Sequence, residues 1–563
     1  MNARIRRSLA VAAALAALLA LAGCRGIPTS GPVVAGPALG EADPDYVVTP
    51  NGPAAGATPE EILDGFMLAV RAPQRSYGVA EQFLSPDFQQ RWQPDAGVVI
   101  RSGNATVSTA AGSTDTAPRL VYEFDSSASV DAEGRYRDAA SSSHTMEFDF
   151  VQVDGEWRIS SAPEDGIVLT EVAFARAFTA VPLYFYDSTE RYLVPDVRWF
   201  AAVATLPTRA VSALLAGPDD WLAPAVVNEF PSGTALGTGG ATVSGSQAAV
   251  DLTTPAAAAS GAVLERMRQQ LIHTLGVSDL NLTASGVPLS PGSDGPAPII
   301  NPGPSGAVLV GTGTDFGFGS ASGVDEIAGI SSVLLADGAT SATLSHGLDA
   351  AVYLAGDGTA RYLSAGAGAS QVVDPRPGLL APTLDPEGYI WSAAGGVGGR
   401  IDAFTPDGKS VGLDVEDLPA DAGIAAIAMS RDGTRLAVLL STGGGARLLV
   451  FAVARSAGAP TQLRSPLELP LPEGAAVGVA WADDQTLVAV TAPGDGSSHA
   501  VRLLPIGSPA TDLGALGADG VVVGGLPVGQ TGIRALSGGD VLVASGTGWS
   551  ATGLAATFLG VQQ

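Results

Sequence analysis

Cysteine and histidine are scarce in this chain, with one cysteine and four histidines among 563 residues. A single cysteine excludes a disulfide within the chain, CxxC redox chemistry and a zinc site built from cysteines. Charged residues are also few, at 15% against roughly 25% in ordinary globular proteins, whereas hydrophobic residues reach 46%. This composition favours buried strands, and a binding or scaffold protein over an enzyme.

Basic residues are also few: the chain has 29 Lys and Arg residues against 56 Asp and Glu residues, which gives a net charge of −27. A surface this acidic repels phosphate backbones, so we expect no nucleic-acid partner. Glycine (72) and proline (39) together exceed the roughly 12% of an average protein. They indicate many turns between short strands.

The N-terminus has the pattern of an export signal. Arginines without acidic residues occupy Met1–Arg7, and a short apolar run follows over Leu9–Leu21. The segment ends in Leu21-Ala22-Gly23-Cys24, which resembles a bacterial lipobox. The resemblance implies a signal peptide over residues 1–23, cleavage between Gly23 and Cys24, a diacylglyceryl group on the Cys24 thiol and an acyl group on the new N-terminus. The alternative is a buried core cysteine.

Residues 24–56 are rich in proline, glycine and alanine, which is typical of a tether between an anchor and a domain. No later stretch of 18 apolar residues occurs, so we expect the rest of the chain not to cross a membrane.

A first α+β domain is predicted over residues 57–170. Thr58-Pro59-Glu60-Glu61 begins a helix, and Ala80–Phe88 gives a second short one. Asp154-Gly155 is a strong hairpin signal between the last two strands. The strands are predicted at Gly97–Arg101, Arg119–Phe124, Thr145–Val153 and Trp157–Ser160. Two helices followed by a curled antiparallel sheet resemble cystatin-like and NTF2-like folds.

A second α+β domain is predicted over residues 180–290, with the order β-β-α-β-β-α-β and antiparallel pairing. Its helices end at Gly217-Pro218 and at Gly276, both common C-terminal signals. The predicted elements are Val181–Asp187, Tyr192–Arg198, Thr208–Ala216, Gln247–Leu252, Leu264–Leu275 and Asp279–Thr283.

Short apolar runs recur over residues 305–563 at intervals of about 40–50 residues, which is typical of β-propeller blades. We expect five or six blades, and a pair of β-sandwiches is the alternative. The recurring runs are Ala351–Leu354, Tyr389–Trp391, Leu436–Leu439, Leu487–Val490 and Val541–Ala544.

No motif for catalysis or metal binding is found. Gly408-Lys409-Ser410 lacks the earlier glycine of a P-loop, and no HExxH or GxSxG pattern occurs, so we expect no catalytic residue, no metal and no cofactor. Aromatic residues cluster at the start of the second domain, where they indicate either core packing or an exposed partner-binding patch. The candidates for that patch are Tyr184, Tyr186, Tyr192 and Trp199.

Four segments of the second domain resemble the GerMN (sporulation and germination) domain. They are Tyr184-Phe185-Tyr186, Ala213–Pro218, Pro231–Thr234 and Ala249–Leu252. Together with the lipobox, the preceding domain and the propeller repeats, the whole chain resembles the LpqB family of actinobacterial lipoproteins. The resemblance implies a protein that is held by its lipid anchor on the extracytoplasmic face of the cell membrane.

The resemblance also implies a partner, the extracellular domain of a sensor histidine kinase (MtrB-like). Binding would modulate phosphorylation of the response regulator MtrA, and through it cell-wall homeostasis and division. The alternative function is an envelope glycan-binding receptor or hydrolase that uses the mouth of the propeller, since propellers bind ligands there although fold alone is no evidence of function. A third alternative is a passive structural lipoprotein.

Overall fold

The computed structural model describes residues 50–563 apart from 75–76, 291, 293–294, 305–306, 321, 496–497, 518–519 and 525–531. These residues form several separate sheets with a few short helices. The predicted fold class, two small α+β domains (cystatin/NTF2-like, then GerMN) followed by an all-β propeller, is confirmed.

The first sheet is preceded by short helices. Helix α1 (Pro59–Ala69) begins at a capping box, in which the Glu61 N–H donates to Thr58 Oγ1 and the Thr58 N–H donates to the Glu61 carboxylate. The predicted helix Ala80–Phe88 is split into a 3₁₀ turn, Ala80–Phe83, and helix α2, Pro86–Gln89. The break falls at Ser85, because its hydroxyl caps the second piece and Pro86 suits a first helical position.

Five strands of this sheet have the spatial order β4-β3-β2-β1-β5, in which β5 is parallel to β1 and the other neighbours are antiparallel. Asp154 and Gly155 both have positive φ and form the predicted hairpin turn. Phe66 of α1 packs against Trp92 and Phe148, which fixes the helix on the inner face. The strands are β1 Gln93–Thr109, β2 Arg119–Asp131, β3 Tyr136–Val153, β4 Glu156–Ser161 and β5 Asp165–Thr170.

The middle region has two small sheets, one of order β7-β6-β8 and one of order β12-β11-β10-β9. Its elements are α3 Glu171–Ala177, β6 Phe178–Asp187, β7 Leu193–Ala201, α4 Leu206–Ala216, a 3₁₀ turn Ala223–Ala225, β8 Val226–Val227, β9 Leu236–Ser244, β10 Gln247–Leu252, a 3₁₀ turn Thr254–Ala258, α5 Gly261–Leu275, β11 Asp279–Ala284 and β12 Val287–Pro288.

One prediction of pairing in this region is wrong. Strands β10 and β11 are parallel and not antiparallel, because helix α5 lies between them in the chain and makes the crossover that a parallel pair requires. The helix ends as predicted at Gly276, which has the left-handed conformation.

The described residues after 305 form six four-stranded blades. Their strands, with one helix, are β13 Leu309–Gly311, β14 Phe316–Ser320, β15 Gly323–Glu326, α6 Ser331–Ala336, β16 Ser341–Leu344, β17 Ala350–Leu354, β18 Ala360–Ser364, β19 Gln371–Asp374, β20 Thr383–Leu384, β21 Ile390–Ala393, β22 Gly396–Val397, β23 Ile401–Phe404, β24 Ser410–Val411, β25 Asp414–Val415, β26 Gly423–Met429, β27 Arg435–Thr442, β28 Gly445–Ser456, β29 Ala459–Leu469, β30 Ala475–Trp481, β31 Thr486–Ala492, β32 His499–Pro505, β33 Thr511–Leu516, β34 Val521–Gly524, β35 Ile533–Ser537, β36 Asp540–Ser545, β37 Gly548–Ala555 and β38 Phe558–Gln562.

The ring closes through β38, which pairs with β13 and becomes the innermost strand of the first blade. The innermost strands of the blades are β38, β16, β20, β26, β30 and β34, and each contacts the next around a closed circle. Strands β22 and β25 add to the edges of the fourth sheet. The ring therefore encloses a channel along its axis.

Candidate functional site

The middle region packs on one face of the ring, which we call the junction face. Val194, Trp221 and Leu222 belong to the same buried hydrophobic cluster as residues of the fourth and fifth blades. The Leu193 N–H donates to the Ile299 carbonyl at 2.9 Å, so the segment after β12 runs along strand β7 before it reaches the ring. The described domains are thus joined by continuous packing at this face.

Buried ion pairs line the same junction. Arg198 forms a two-pronged pair with Asp196, at 2.6 Å for Nη2, and both side chains are buried. The Asp219 N–H donates to Asp196 at 2.7 Å, while the Asp219 carboxylate is paired with Arg137 of the first sheet. Because a buried charge is costly without a partner, these contacts fix how the first sheet and the middle region meet.

Hairpins of the third and fourth blades each place an aspartate in the interior. Asp385 accepts hydrogen bonds from Trp391 Nε1 at 3.0 Å and from Arg455 of the next blade at 2.6 Å. Asp432 is paired with Arg435, whose guanidinium lies 5.1 Å from the centroid of the Trp481 ring. These contacts cross from blade to blade.

The groups around Asp432 determine whether its carboxyl group is charged. It accepts from the Ser430 hydroxyl at 2.6 Å and the Thr434 N–H at 2.9 Å. Burial alone would raise the pKa of Asp432, but Arg435 and these donors hold it below its ordinary value. The carboxylate is therefore kept charged in the interior.

Asp484 occupies the corresponding hairpin of the fifth blade and has the opposite behaviour. Its N–H donates to the Asn301 side chain at 3.1 Å, but its Oδ2 is buried without a hydrogen-bond partner among the described residues. Burial raises the pKa of Asp484 to about 7, and the nearby Asp483 and Asp432 raise it while Arg435 lowers it. This carboxyl group titrates near neutral pH at the contact between the ring and the segment from the middle region.

The aromatic residues proposed as a partner-binding patch lie inside the molecule. Tyr186 and Tyr192 are only 2% and 6% exposed, so the prediction of an exposed patch is wrong for them. Tyr184 is half-buried with its ring edge towards His273. Trp199 is half-buried between Tyr136 and Phe174 of neighbouring elements. The alternative interpretation, core packing, describes this cluster.

Trp199 marks the point where three parts of the chain meet. Its indole N–H donates to the Gly507 carbonyl of the fifth blade at 2.8 Å, and its backbone N–H donates to the Gly134 carbonyl of the first sheet at 2.7 Å. A buried tryptophan usually has such a polar partner. The residue therefore stabilises the junction.

The channel along the axis of the ring has a volume of about 410 Å³. Apolar side chains from the innermost strands make up most of its wall, and no Asp, Glu or His occurs among the described residues that line it. Representative lining residues are Ala342, Ala426, Ala428, Val477, Val479 and Leu559. Two acidic groups for glycoside hydrolysis are not found on this wall, which does not favour the hydrolase alternative.

A second cavity of about 450 Å³ lies at the junction face, and charged side chains are among its lining residues. Arg191 and Glu387 form an ion pair across it at 3.2 Å. Arg431 and Gln563 line both cavities and thus lie between the channel and this second cavity. Across the described part of the chain, no group of three His, Cys, Asp or Glu residues could hold a metal ion.

The sequence did not predict the buried Asp432 or the apolar channel, because the local patterns at both are common ones. Arg431-Asp432-Gly433 reads as an ordinary turn, and nothing in its local pattern indicates that Asp432 is enclosed. The spacing of Asp432 and Arg435 is the one signal that could have indicated an ion pair. The channel wall consists of alanine and valine, which any buried strand contains.

Two residues of the lipobox prediction, Gly23 and Cys24, lie outside the described residues, as do the signal peptide and most of the predicted tether. None of the described helices is long and apolar enough to span a membrane.

Three family profiles match successive parts of the chain. Residues 52–175 match "Lipoprotein LpqB, N-terminal domain", residues 182–289 match "Sporulation and spore germination", and residues 319–556 match "Lipoprotein LpqB beta-propeller domain". Among solved structures, one from a nidogen/laminin complex is 12% identical with a TM-score of 0.29 and covers 45% of this chain and 96% of that one.

Curated relatives carry the same name. A "Lipoprotein LpqB" of Cutibacterium acnes is 31% identical over 46% of this chain and 42% of its own length. One of Thermobifida fusca is 31% identical over 48% and 44%, so the match spans less than half of these relatives. One of Bifidobacterium longum is 25% identical over 80% of both chains. With profiles and relatives in agreement along the sequence, the chain belongs to the LpqB family of lipoproteins.

Proposed function

We propose that this protein is anchored by lipid at Cys24 to the extracytoplasmic face of the cell membrane. The support is the lipobox Leu21–Cys24 behind a basic and apolar leader, in a chain of a lipoprotein family. Two glycerol-linked chains and one N-acyl chain exceed the two signals that stable anchoring needs. The predicted tether, residues 24–56, would give the domains reach from the bilayer.

We further propose that the anchored protein binds the extracellular domain of a sensor histidine kinase and modulates it. The resemblance to the LpqB family implies this partner, an MtrB-like kinase that acts on MtrA in cell-wall homeostasis and division. Anchoring raises the effective concentration of the protein near other membrane proteins. The apolar channel wall without carboxylates supports a binding role over hydrolysis.

Domain bounds of 57–170, 180–290 and 305–563 are part of the same proposal. In it, the interdomain packing around Trp199 and Arg198 presents the three domains to a partner as one body. The aromatic residues of the junction serve this packing, so the surface that meets the kinase lies elsewhere.

The anchor is tested by changing Cys24→Ser in the full chain expressed in its host. We expect the wild-type protein in the membrane fraction with bound acyl chains, detected by mass spectrometry of its N-terminal peptide. The variant is expected to lose the acyl chains and membrane retention. An unmodified wild-type Cys24 would contradict the proposal.

The partner is tested by crosslinking in intact cells from the anchored protein, followed by mass spectrometry. We expect recovery of the sensor kinase, and a change in regulator phosphorylation when the protein is depleted. Recovery of wall polymers without a kinase would favour the glycan-binding alternative. Intact signalling after depletion would favour a passive structural lipoprotein.

A further inference from the structure

We propose that the channel of the ring binds a single-chain lipid with a hydroxyl-bearing head group, such as a monoacylglycerol. The chain would lie along the apolar wall and the head would reach the buried base formed by Gln563 and Arg431. This inference rests on the ring alone and does not depend on the kinase partner.

The channel is open at one end and closed at the other. Thr340 and Thr557, which directly precede β16 and β38, and Val521, the first residue of β34, are exposed, whereas residues near the ends of innermost strands, such as Thr343 and Met429, are buried. The strands run in one direction, so their exposed beginnings form a mouth opposite the junction face. The channel is therefore a blind pocket that a ligand enters from solvent.

Size and wall chemistry suit an alkyl chain. The volume of about 410 Å³ lies within the range of ligand pockets, ~300–1,000 Å³. It accommodates roughly fourteen groups the size of a water molecule, at ~30 Å³ each, and a methylene is of similar size. Burial of each methylene favours transfer of the chain from water into the channel. Arg431 is the one charged side chain among the described residues of the wall, and it lies at the closed end.

At the base of the channel, the side-chain oxygen of Gln563 lacks a hydrogen-bond donor among the described residues. Gln563 is 5% exposed, and its Nε2 donates to Thr383 Oγ1 at 2.9 Å and to the Met429 carbonyl at 3.4 Å. Its Oε1 is buried without a hydrogen-bond partner in the described part of the chain, as is the hydroxyl of Ser341 on the same wall. A buried acceptor without a hydrogen-bond partner is costly, so a ligand that donates to it gains affinity.

A hydroxyl head group matches these groups. It can donate to Gln563 Oε1 and, unlike an alkyl terminus, it can also accept from the Arg431 guanidinium, which already donates to the Gln562 carbonyl at 3.3 Å. A glycan is a weaker match, because the many hydroxyls of a sugar would face the apolar wall without partners.

The test uses the full acylated chain in lipid nanodiscs and a twelve-carbon monoacylglycerol that carries a diazirine on its chain. After irradiation, peptide mapping is expected to locate the label on residues 423–429 and 475–481, at one label per chain, and unlabelled monoacylglycerol is expected to compete. Label elsewhere, no label, or competition by a wall disaccharide at equal concentration would overturn the proposal.

Two variants sharpen the result. Ala428→Leu narrows the channel, and Val521→Asp places a charge at the mouth, where the native side chain is 43% exposed. Both are expected to reduce labelling at least tenfold. Val397→Asp is the matched control, because Val397 is 75% exposed and outside the channel wall, and it is expected to label like wild type. If Ala428→Leu fails to fold, Val521→Asp decides, and unchanged labelling in it overturns the proposal.

Discussion

The two faces of the ring differ in what they bury. The junction face encloses charged groups, among them Asp432 with Arg435 and Asp385 with Arg455, against the middle region. The mouth at the opposite face is apolar and open, with Val521 on its rim. Buried charges tolerate only a narrow range of geometries, so the junction face is suited to hold domains in place. The mouth has no such constraint and is suited to admit a ligand.

Within the junction face, Asp432 and Asp484 differ in how well their carboxyl groups are hydrogen-bonded. They occupy corresponding hairpins of neighbouring blades, yet Asp432 has donors on both oxygens and Asp484 has a buried Oδ2 without one among the described residues. Equivalent positions in a repeat can therefore have opposite effects on stability, depending on whether the carboxylate has partners.

Of the substitutions considered, Asp432→Ala should lower the stability of the junction face most. Removing this carboxylate leaves the Arg435 guanidinium buried without its ion-pair partner, so we expect a loss of about 3–5 kcal/mol in the free energy of unfolding. Denaturant unfolding of the full chain measures it. The exposed pair of Asp407 and Lys409 supplies the control, since Asp407→Ala should leave the free energy of unfolding nearly unchanged. A loss below 1 kcal/mol for Asp432→Ala would contradict the role given to buried pairs.

Asp484→Asn should raise the free energy of unfolding, whereas Asp432→Ala should lower it. The folded pKa is raised to about 7, above its ordinary value of 3.8, so the wild-type protein loses stability as the pH rises from about 4 through 7. A neutral asparagine avoids this loss, and we expect it to stabilise the protein at pH 8 by about 2–4 kcal/mol. The gain should shrink as the pH falls towards 4. Equal stability of both proteins across this range would show that Asp484 keeps an ordinary pKa.

Trp199→Phe should weaken the junction more gently. Phenylalanine keeps most of the packing against Phe174 but loses the hydrogen bond to the carbonyl of the half-buried Gly507. We expect a loss of about 1–2 kcal/mol, read from thermal unfolding. Hydrogen exchange at Gly134 and around Gly507 should rise together, since Trp199 joins both. Exchange that rises on one side only would mean that the two contacts are independent.

Val521→Asp should have the smallest effect on stability. This side chain is on the mouth and partly in water, so we expect a change within about 0.5 kcal/mol in the free energy of unfolding. The same denaturant titration measures it. A large loss would show that the mouth is as constrained as the junction face.

Local signals in the sequence predicted the elements that local chemistry determines. The capping box at Thr58 and Glu61, the hairpin at Asp154-Gly155 and the end of a helix at Gly276 are all present. Each depends on residues a few positions apart, so periodicity and turn chemistry suffice.

Features that depend on distant residues could not be predicted. Four of the recurring runs form the second strand of a blade, but Val541–Ala544 lies in the third strand of its blade, which is why its interval is longer. The closing strand β38 has no repeat signal because its blade is assembled from both ends of the domain. The interior positions of Tyr186 and Tyr192 follow from contacts with residues distant in the chain, which a single sequence does not record.

Strand β38 also determines when the ring can form. Leu309 pairs with Gly560, and Thr343 pairs with Val561, so both neighbours of β38 wait for a segment more than 200 residues further along the chain. Closure over so long a loop is slow, because its entropy must be lost before the contacts form. Until then β13 and β16 have unpaired edges that other chains can join. A chain made from its N-terminus would therefore remain prone to aggregation until β38 is available, and deleting residues 558–562 would leave this state permanent.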